Sequence, residues 1–541
     1  MKEENLVEED RATLSRSAGL VTAATAVSRI TGLIGVLVIA GALGFTRLQD
    51  SYNLANVMPN MIFELIAGGI LTSVLIPVFV TRRLQDEQQG WRAANNIANI
   101  TLLILIIIAT LGTIFSYYFV RAQTFLVPTH QVSIARLNFF FKFFIWEIVF
   151  YGLTTILNGI LQSYRRFTMP ALAPIFNNLI VIATVLFFYL PLKNTHPDLA
   201  LTALAIGTAL GIAAMALIQL PSLIKLGWKY QFVIDLHDPA FRQLVVLALP
   251  VVVYVAGNQI GLTVSNALAW KFKGGMTAFK IAWSFFQLPY ALLAVSVSTV
   301  LFPRFSERAA LRDTEGFKKT LTSAVNSTAF IIIPASMALF LLSKPIISLI
   351  FLGSYGQAGV NQVSGVMAYF MAGLLPFSAF MLLNRVFYAL KDTKTPMLVN
   401  TIGIPLNIGF DFLLVAYFGV AGLSMGHSLT YLITMTILLF ALRKRLGALN
   451  GRAMFKGALK FTLISAAMAV IIALLVRWLS GVAWGHPYGE TAIIAAATVA
   501  GGGFYLLVNQ LTGTEEVGFL STMIRGILRK SEVAAPAKDE G

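Results

Sequence analysis

The chain has 541 residues, of which 57% are hydrophobic and only 12% are charged, whereas soluble domains carry about 25% charged residues. This composition excludes a soluble enzyme or binding domain, and the lack of cysteine excludes disulfides, thiolate nucleophiles and cysteine metal sites. The net charge of +16 does not require a nucleic-acid partner, because loop lysines and arginines set the topology of a membrane protein.

Apolar runs of about 20 residues, each long enough to cross a bilayer, recur along the whole chain. After a polar N-terminal segment, residues 1–18, they predict an all-α integral membrane protein. About fourteen transmembrane helices are expected, at 19–43, 52–80, 94–120, 137–162, 170–190, 200–224, 244–269, 277–303, 320–342, 364–390, 395–417, 420–442, 455–476 and 491–511.

Lysine and arginine alternate between the predicted loops. The two termini and every second loop hold 27 of them, and the opposite loops hold 8. Because positively charged loops stay on the cytoplasmic side, this bias predicts that both termini are cytoplasmic in a multi-pass inner-membrane protein.

The sequence also repeats itself at a spacing of 226 residues. Three features recur at that offset: Asn158 as Asn384, Pro170 as Pro396, and TSVLIP at 72–77 as STVLFP at 298–303. Six spans separate the copies, so the two six-helix repeats are parallel, as in many transporters. The predicted regions are an N-lobe at 19–225, a C-lobe at 243–443, two extra helices at 453–511 and a cytoplasmic tail at 512–541.

Helix-breaking residues concentrate in the second span, which contains Pro59, Gly68, Gly69 and Pro77, while the eighth span contains Pro289. Breaks at membrane depth are tolerated where the backbone lines protein or a water-filled cavity. We expect these two helices to bend around a central cavity, with simple packing kinks as the alternative.

A charge inside the bilayer costs roughly 2.5–3.5 kcal/mol, so each one needs a reason. Five charged residues stand out within the predicted spans, with Asp411 and Lys280 as weaker cases: Arg29, Glu64, Lys142, Glu147 and Arg385. Arg29 lies about ten residues inside its span, too deep for its head group to reach water easily. Since a guanidinium donates two parallel hydrogen bonds to phosphate, Arg29 is predicted to line a cavity and bind an anion.

No enzyme motif accompanies these charges. The five histidines are scattered without metal-ligand spacing, and no GxxxxGK[ST] phosphate-binding loop is present. The sequence therefore predicts a transporter without an ATPase motif, a catalytic residue, a metal or a cofactor. Its energy would come from the membrane potential, an ion gradient or consumption of the product.

Residues 28–79, beginning SRITGLIGVLVIAGALGF, resemble the first conserved segment of the MurJ (MviN) family. SFFQLPYALLAVSVSTVLFPRFS at 284–306 and NRVFYALKDTKTP at 384–396 are similar to that family's segments in helices 8 and 10–11. These segments are most similar in sequence to the actinobacterial branch of the family. The family comprises lipid II flippases of the MOP exporter superfamily, which take part in peptidoglycan biosynthesis, cell-wall biogenesis and cell shape.

The resemblance implies two six-helix lobes around a cationic cavity, with helices 13 and 14 forming an apolar groove for the lipid tail. It implies that lipid II, an undecaprenyl-pyrophosphate-linked precursor, has its headgroup moved from the inner to the outer leaflet by alternating access. Membrane lipids and the cell-wall synthesis machinery are the other implied partners.

The family's site residues map onto four positions here: Arg29, Asp50, Pro59 and Asn60. Its other cavity arginines are replaced, by Gly35 in helix 1, Phe63 in helix 2 and Ser284 in helix 8. Lys280, one turn before Ser284, and Arg385, in the lobe opposite to that of Arg29, are predicted to supply replacement charge. Substrate binding is therefore predicted for Arg29, Asn60, Arg385 and Lys280, and coupling or gating for Asp50, Glu64 and Pro59.

Two other interpretations stay open on the sequence. Glu64 and the missing arginines also fit a related exporter of another polyprenyl-linked saccharide or of a cationic drug. A membrane-embedded glycosyltransferase or a cell-wall scaffold is the third, and it would need an outward carboxylate, for which Asp50 is the candidate.

Overall fold

The computed structural model describes residues 24–65, 79, 86–126, 134–164, 166–238, 241, 257, 259–482 and 485–518. Every regular element in these ranges is helical, which confirms the all-α class. Ten described helices are long and apolar enough to cross a membrane. In the first of them, Ala24–Leu43, only 22% of the most apolar 18-residue window is buried inside the protein. Long helices that leave apolar side chains exposed are typical of a multi-pass membrane protein.

The chain forms two compact units, Met1–Thr277 and Ala278–Gly541. The described helices of the first unit are α1 Ala24–Leu43, α2 Arg47–Ala55, α3 Val57–Leu65, α4 Glu87–Ile114, α5 Ser116–Gln123, α6 Ile134–Phe144, α7 Glu147–Ser163, α8 Thr168–Leu192 and α9 Pro197–Ile224. Residues 259–270 are helical as well. A buried cluster holds α4, α7 and α9 together, and it includes Ile97, Ile156, Leu161 and Leu223.

The predicted second span begins as two short helices. Because Pro59 has no backbone N–H, it cannot donate to the carbonyl of Ala55, and α2 ends at that residue. Helix α3 starts at Val57 and is described as far as Leu65. Gly68, Gly69, Pro77 and the repeat segment 72–77 lie outside the described residues.

Helix α10, Gly275–Pro289, begins in the first unit and continues into the second. The second unit also contains α11 Val295–Ala310, α12 Thr314–Ala372, α13 Leu374–Ala389, α14 Lys394–Phe418, α15 Ala421–Leu446, α16 Gly451–Ser480 and α17 Tyr488–Leu511. A π-helical turn, Tyr290–Ala294, follows Pro289 directly, as expected where proline removes a helix hydrogen bond. Helix α12 extends beyond the predicted span 320–342 and is broken only at Gly356, whose φ of 63° and ψ of 177° are not helical.

The helix boundaries follow the predicted repeat. Helices α7 and α13 end at Ser163 and Ala389, and the next helices begin at Thr168 and Lys394; both pairs are 226 residues apart. Near the same offset, Asp86 caps α4 and Asp313 caps α12 through side-chain hydrogen bonds to backbone N–H groups. The duplication seen in three sequence motifs is thus a duplication of helical structure.

Candidate substrate and gating site

Asp50 binds the loop that precedes α10. Its side chain is fully buried, and it accepts hydrogen bonds from the backbone N–H of Gly274 at 2.7 Å and of Thr277 at 3.1 Å. The Thr277 hydroxyl donates a third at 2.9 Å. Because hydrogen bonds to a charged acceptor are stronger than neutral ones, this carboxylate fixes residues 274–277 to α2.

Arg47, one turn before Asp50, binds the same loop from its other end. Its guanidinium donates to the carbonyls of Trp270 at 2.7 Å and Phe272 at 3.2 Å and lies 5.7 Å from the centroid of the Trp270 ring. Trp270 is the last of the helical residues 259–270, so its carbonyl has no helical partner, and Phe272 lies in the turn that follows. We call this set the α2 latch: Arg47, Asp50 and residues 270–277, which comprise the turn after Trp270 and the first turn of α10, all within the first unit.

Gly274 makes the latch geometry possible. Its φ of +72° is a conformation that side chains disfavour. A Cβ atom there would also lie 2.1 Å from the ring of Phe45. Only glycine therefore lets the loop turn tightly enough to present its N–H to Asp50.

Asp50 precedes the second predicted span, and its ionisation is perturbed. Burial raises the pKa of Asp50 to about 6, against the hydrogen bonds from Thr277 and Gly274 and the charge of Arg47, which lower it. A carboxyl group with such a pKa changes charge near physiological pH, which is what a group involved in proton coupling must do.

Asn60, on α3, belongs to a polar network. It donates to the side chain and the backbone carbonyl of Asn56 and accepts from the Tyr151 hydroxyl at 3.1 Å. Asn56 in turn lies 3.5 Å from the carboxylate of Glu147, which is fully buried. The structure therefore joins the predicted residue Asn60 to the intramembrane charge Glu147, whereas Lys142 is exposed on α6.

Phe63 and Glu64, further along α3, have different environments. Phe63, which replaces a family arginine, stacks on Tyr151 with ring centroids 4.4 Å apart. Glu64 is exposed, and its carboxylate accepts a hydrogen bond from Gln259 at 3.1 Å. One missing arginine is thus replaced by an aromatic contact, while Glu64 stays accessible.

Arg29 is exposed on α1 and makes no hydrogen bond or ion pair within the part of the chain that the structure describes. The neighbouring face of α1 packs on α8, where Asn178 donates to the Ser28 carbonyl at 3.1 Å. Gly35 lies on the packed face, and a Cβ atom there would contact Ile182 at 3.9 Å. Arg29 thus keeps its hydrogen-bond donors available. Gly35, which is predicted to replace a family arginine, is buried.

The remaining predicted residues, Lys280 and Arg385, belong to the second unit. Both are half-buried, Lys280 on α10 and Arg385 on α13. The Ser284 hydroxyl, at the third replaced position, donates to the carbonyl of Lys280 at 2.9 Å. No group of three histidine, cysteine or acidic residues able to hold a metal occurs among the described residues.

Sequence reasoning missed Arg47 and its partners. Arg47 counted only as a loop charge, and nothing in the sequence shows that it binds carbonyls more than 220 residues away. Gln259 and Tyr151 also carried no signal, because single polar residues in apolar spans are common. A detectable hint was Gly274 beside Gly275, since paired glycines indicate a tight turn.

Known proteins are similar to this chain over most of its length. The family described as lipid II flippase MurJ matches residues 39–488. A probable lipid II flippase MurJ of Vibrio cholerae is 27% identical over 444 residues, covering 79% of this chain and 82% of the relative. A lipid II flippase MurJ of Burkholderia cenocepacia is 25% identical over 508 residues, covering 90% and 95%.

Solved structures share the fold. Lipid II flippase MurJ in an inward closed conformation has a TM-score of 0.76 and 24% identity, covering 91% of this chain and 98% of that one. An inward-facing MATE family multidrug transporter of the MOP superfamily has a TM-score of 0.62 and 16% identity, covering 78% and 96%. Since the family match spans most of a duplicated, all-helical membrane chain, this protein belongs to the lipid II flippase MurJ family.

Proposed function

We propose that the chain is a lipid II flippase, which moves the headgroup of this lipid-linked peptidoglycan precursor from the inner to the outer leaflet of the cytoplasmic membrane. The observation that carries the proposal is the match of residues 39–488 to the family of that function. The protein is a transporter, not an enzyme, and no ATPase motif supplies its energy.

In the proposed mechanism, Arg29 binds the pyrophosphate. Its exposed guanidinium, without a described partner, can donate the two parallel bonds that phosphate accepts. Lys280 and Arg385 are the other positively charged residues proposed to bind the substrate. Asn60, held by Asn56 and Tyr151, offers amide groups to the sugar or peptide.

The lipid tail would stay in an apolar environment along α16 and α17. Large apolar side chains are exposed at intervals along α16, including Leu463, Leu474 and Trp478, which are 62%, 62% and 69% exposed. Keeping the tail there avoids moving prenyl carbons through water, where each buried methylene is worth about 0.8 kcal/mol.

We assign gating and coupling to α2 and α3, which form the start of the second predicted span. The α2 latch would open and close one end of the transport path, with the break at Pro59 allowing α2 and α3 to move separately. Asp50 and Glu64 are the proposed coupling carboxylates, and the raised pKa of Asp50 supports coupling to protons rather than to a bound nucleotide.

The alternative cargo, another polyprenyl-linked saccharide or a cationic drug, is less well supported. The relatives from Vibrio cholerae, Rickettsia prowazekii and Burkholderia cenocepacia all carry the lipid II flippase description. The likeness to a MATE transporter concerns the fold alone, at 16% identity.

The finer assignments rest on the sequence. The bias of lysine and arginine supports cytoplasmic termini in the inner membrane. Association with the cell-wall synthesis machinery, the lobe boundaries and membership of the actinobacterial branch stay predictions.

A depletion experiment tests the function. Cells depleted of the protein are complemented with the wild type, Arg29→Ala, Arg29→Lys or, as a control at an exposed arginine of α4, Arg92→Ala, and lipid II on the outer leaflet is measured. We expect loss of exposure with Arg29→Ala, partial recovery with Arg29→Lys and full recovery with Arg92→Ala. Unchanged exposure after depletion, in a cell without a second flippase, would reject the proposal.

A further inference from the structure

A segment between α9 and the next helix, residues 229–236, follows an alternating pattern. Its four even-numbered side chains are large, apolar and exposed: Tyr230 59%, Phe232 76%, Ile234 44% and Leu236 57%. The intervening residues are Lys229, Gln231, Val233 and Asp235, and only Val233 is apolar. A period of two is that of an extended chain, whose successive side chains point to opposite sides.

Three asparagines of α4 bind the backbone of this segment. Asn95 donates to the carbonyl of Lys229 at 3.0 Å, and Asn99 donates to those of Gln231 at 2.9 Å and Val233 at 3.0 Å. Asn96 both donates to the carbonyl of Asp235 at 2.9 Å and accepts from its N–H at 2.7 Å. Every second residue is therefore fixed to α4, which orients the apolar side chains away from the asparagines.

The segment lies against α4 next to a surface of exposed apolar residues. Exposed apolar residues of α4 begin at Leu103, which is 44% exposed, and continue through Ile104 and Ile107. Leu103 lies four residues after Asn99, a rise of about 6 Å along a helix. The four apolar side chains thus extend the hydrophobic surface of α4 to the level where a bilayer interface begins.

The composition of the segment suits that level. Tyrosine is enriched at the boundary between lipid and water, and phenylalanine and leucine occur on faces that insert there. The exposed Lys225 and Lys229 can meet anionic headgroups. A backbone at this depth must have its polar groups satisfied by protein, which is what the three asparagines provide.

We propose that residues 229–236 are a membrane anchor, in which the asparagines of α4 hold an extended segment so that Tyr230, Phe232, Ile234 and Leu236 insert into the lipid interface. The charge bias places this interface in the leaflet facing the cytoplasm. Because the segment leads out of α9, the anchor would fix the membrane depth of the connection between the two repeats.

The absence of cysteine from the chain makes the test direct. Single variants Tyr230→Cys, Phe232→Cys, Ile234→Cys and Leu236→Cys are spin-labelled in full-length protein, with Gln231→Cys and Asp235→Cys as matched controls. Vesicles of phosphatidylethanolamine and phosphatidylglycerol are used, and the accessibility of each label to oxygen and to a water-soluble nickel chelate is compared. We expect oxygen to dominate at the even positions and nickel at the odd ones.

A second variant tests the role of the asparagines. Adding Asn99→Ala to the labelled proteins removes two backbone contacts, so the difference between even and odd positions should shrink by at least half. An undiminished difference would overturn the assignment of the asparagines. Nickel accessibility that is equal at even and odd positions of the parent would overturn the anchor, and would indicate a water-facing surface for a protein partner.

Discussion

The α2 latch predicts a measurable effect of removing Arg47. Arg47→Ala eliminates the two shorter hydrogen bonds from a charged donor, to the carbonyls of Trp270 and Phe272, together with a long, exposed one to the carbonyl of Lys271. Such bonds contribute about 1.5–3 kcal/mol each when buried. The Arg47 side chain is 36% exposed, so water replaces part of each bond, and about 1 kcal/mol each is a reasonable expectation.

The sum of about 2 kcal/mol corresponds to a roughly 30-fold change in the equilibrium for opening the loop. Amide hydrogen exchange measures it, because the N–H groups of Gly274 and Thr277 donate directly to Asp50 and exchange only when the loop opens. We expect their exchange to be roughly 30-fold faster in Arg47→Ala and about fivefold faster in Arg47→Lys, which retains the charge and one bond.

Asp313→Asn serves as the control, because Asp313 caps α12 in the second unit and has no part in the latch. Its effect should be confined to the start of α12. If exchange at Gly274 and Thr277 changes less than threefold in Arg47→Ala, Arg47 does not hold the loop and the latch is wrong.

Three further predictions concern other contacts. Phe63→Ala loses the ring contact with Tyr151 and should lower the free energy of unfolding by roughly 2 kcal/mol in detergent; Phe63→Tyr should retain most of it. The raised folded-state pKa of Asp50, about 6 against 3.8, means that its ionisation costs the folded protein stability, so the free energy of unfolding in detergent, measured relative to Asp50→Asn, should fall between about pH 4 and pH 6 and not change above that interval. For Asp392, burial opposes ionisation, but hydrogen bonds from Thr395 and the charge of Arg445 lower its pKa overall. Asp392→Ala should therefore reduce Tm at neutral pH, and the difference from wild type should vanish as acid protonates the wild-type carboxyl. A difference in Tm that is independent of pH would contradict that assignment.

Local chemistry explains which parts of the fold were predictable. Long apolar runs predict membrane helices. Helix boundaries are predicted by Asp86 and Asp313, which cap helices, and by Pro59, which lacks a backbone N–H. The duplicated boundaries at Ser163 and Ala389 follow from motifs readable in the sequence. The continuation of α12 to Gly356 was not predicted, because its polar residues around Tyr355 have the composition of a loop.

The candidate site was predictable in its members but not in its contacts. Resemblance identified Asp50 and Asn60, and hydropathy identified Glu147, but their partners come from distant parts of the chain. Thr277 follows Asp50 by 227 residues, and Glu147 lies 91 residues from Asn56. Such pairings depend on tertiary packing, which hydropathy and spacing do not encode.

Transport by purified protein tests the central claim most directly. Wild-type protein and Arg29→Ala are reconstituted into vesicles containing headgroup-labelled lipid II, and the fraction of label that crosses to the opposite leaflet is measured with a membrane-impermeant quencher, with a polyprenyl monophosphate sugar as competing cargo. The account predicts that wild-type protein moves lipid II, that Arg29→Ala lowers the rate at least tenfold, and that the competitor has little effect. Equal movement in protein-free vesicles, or an undiminished rate in Arg29→Ala, would contradict it.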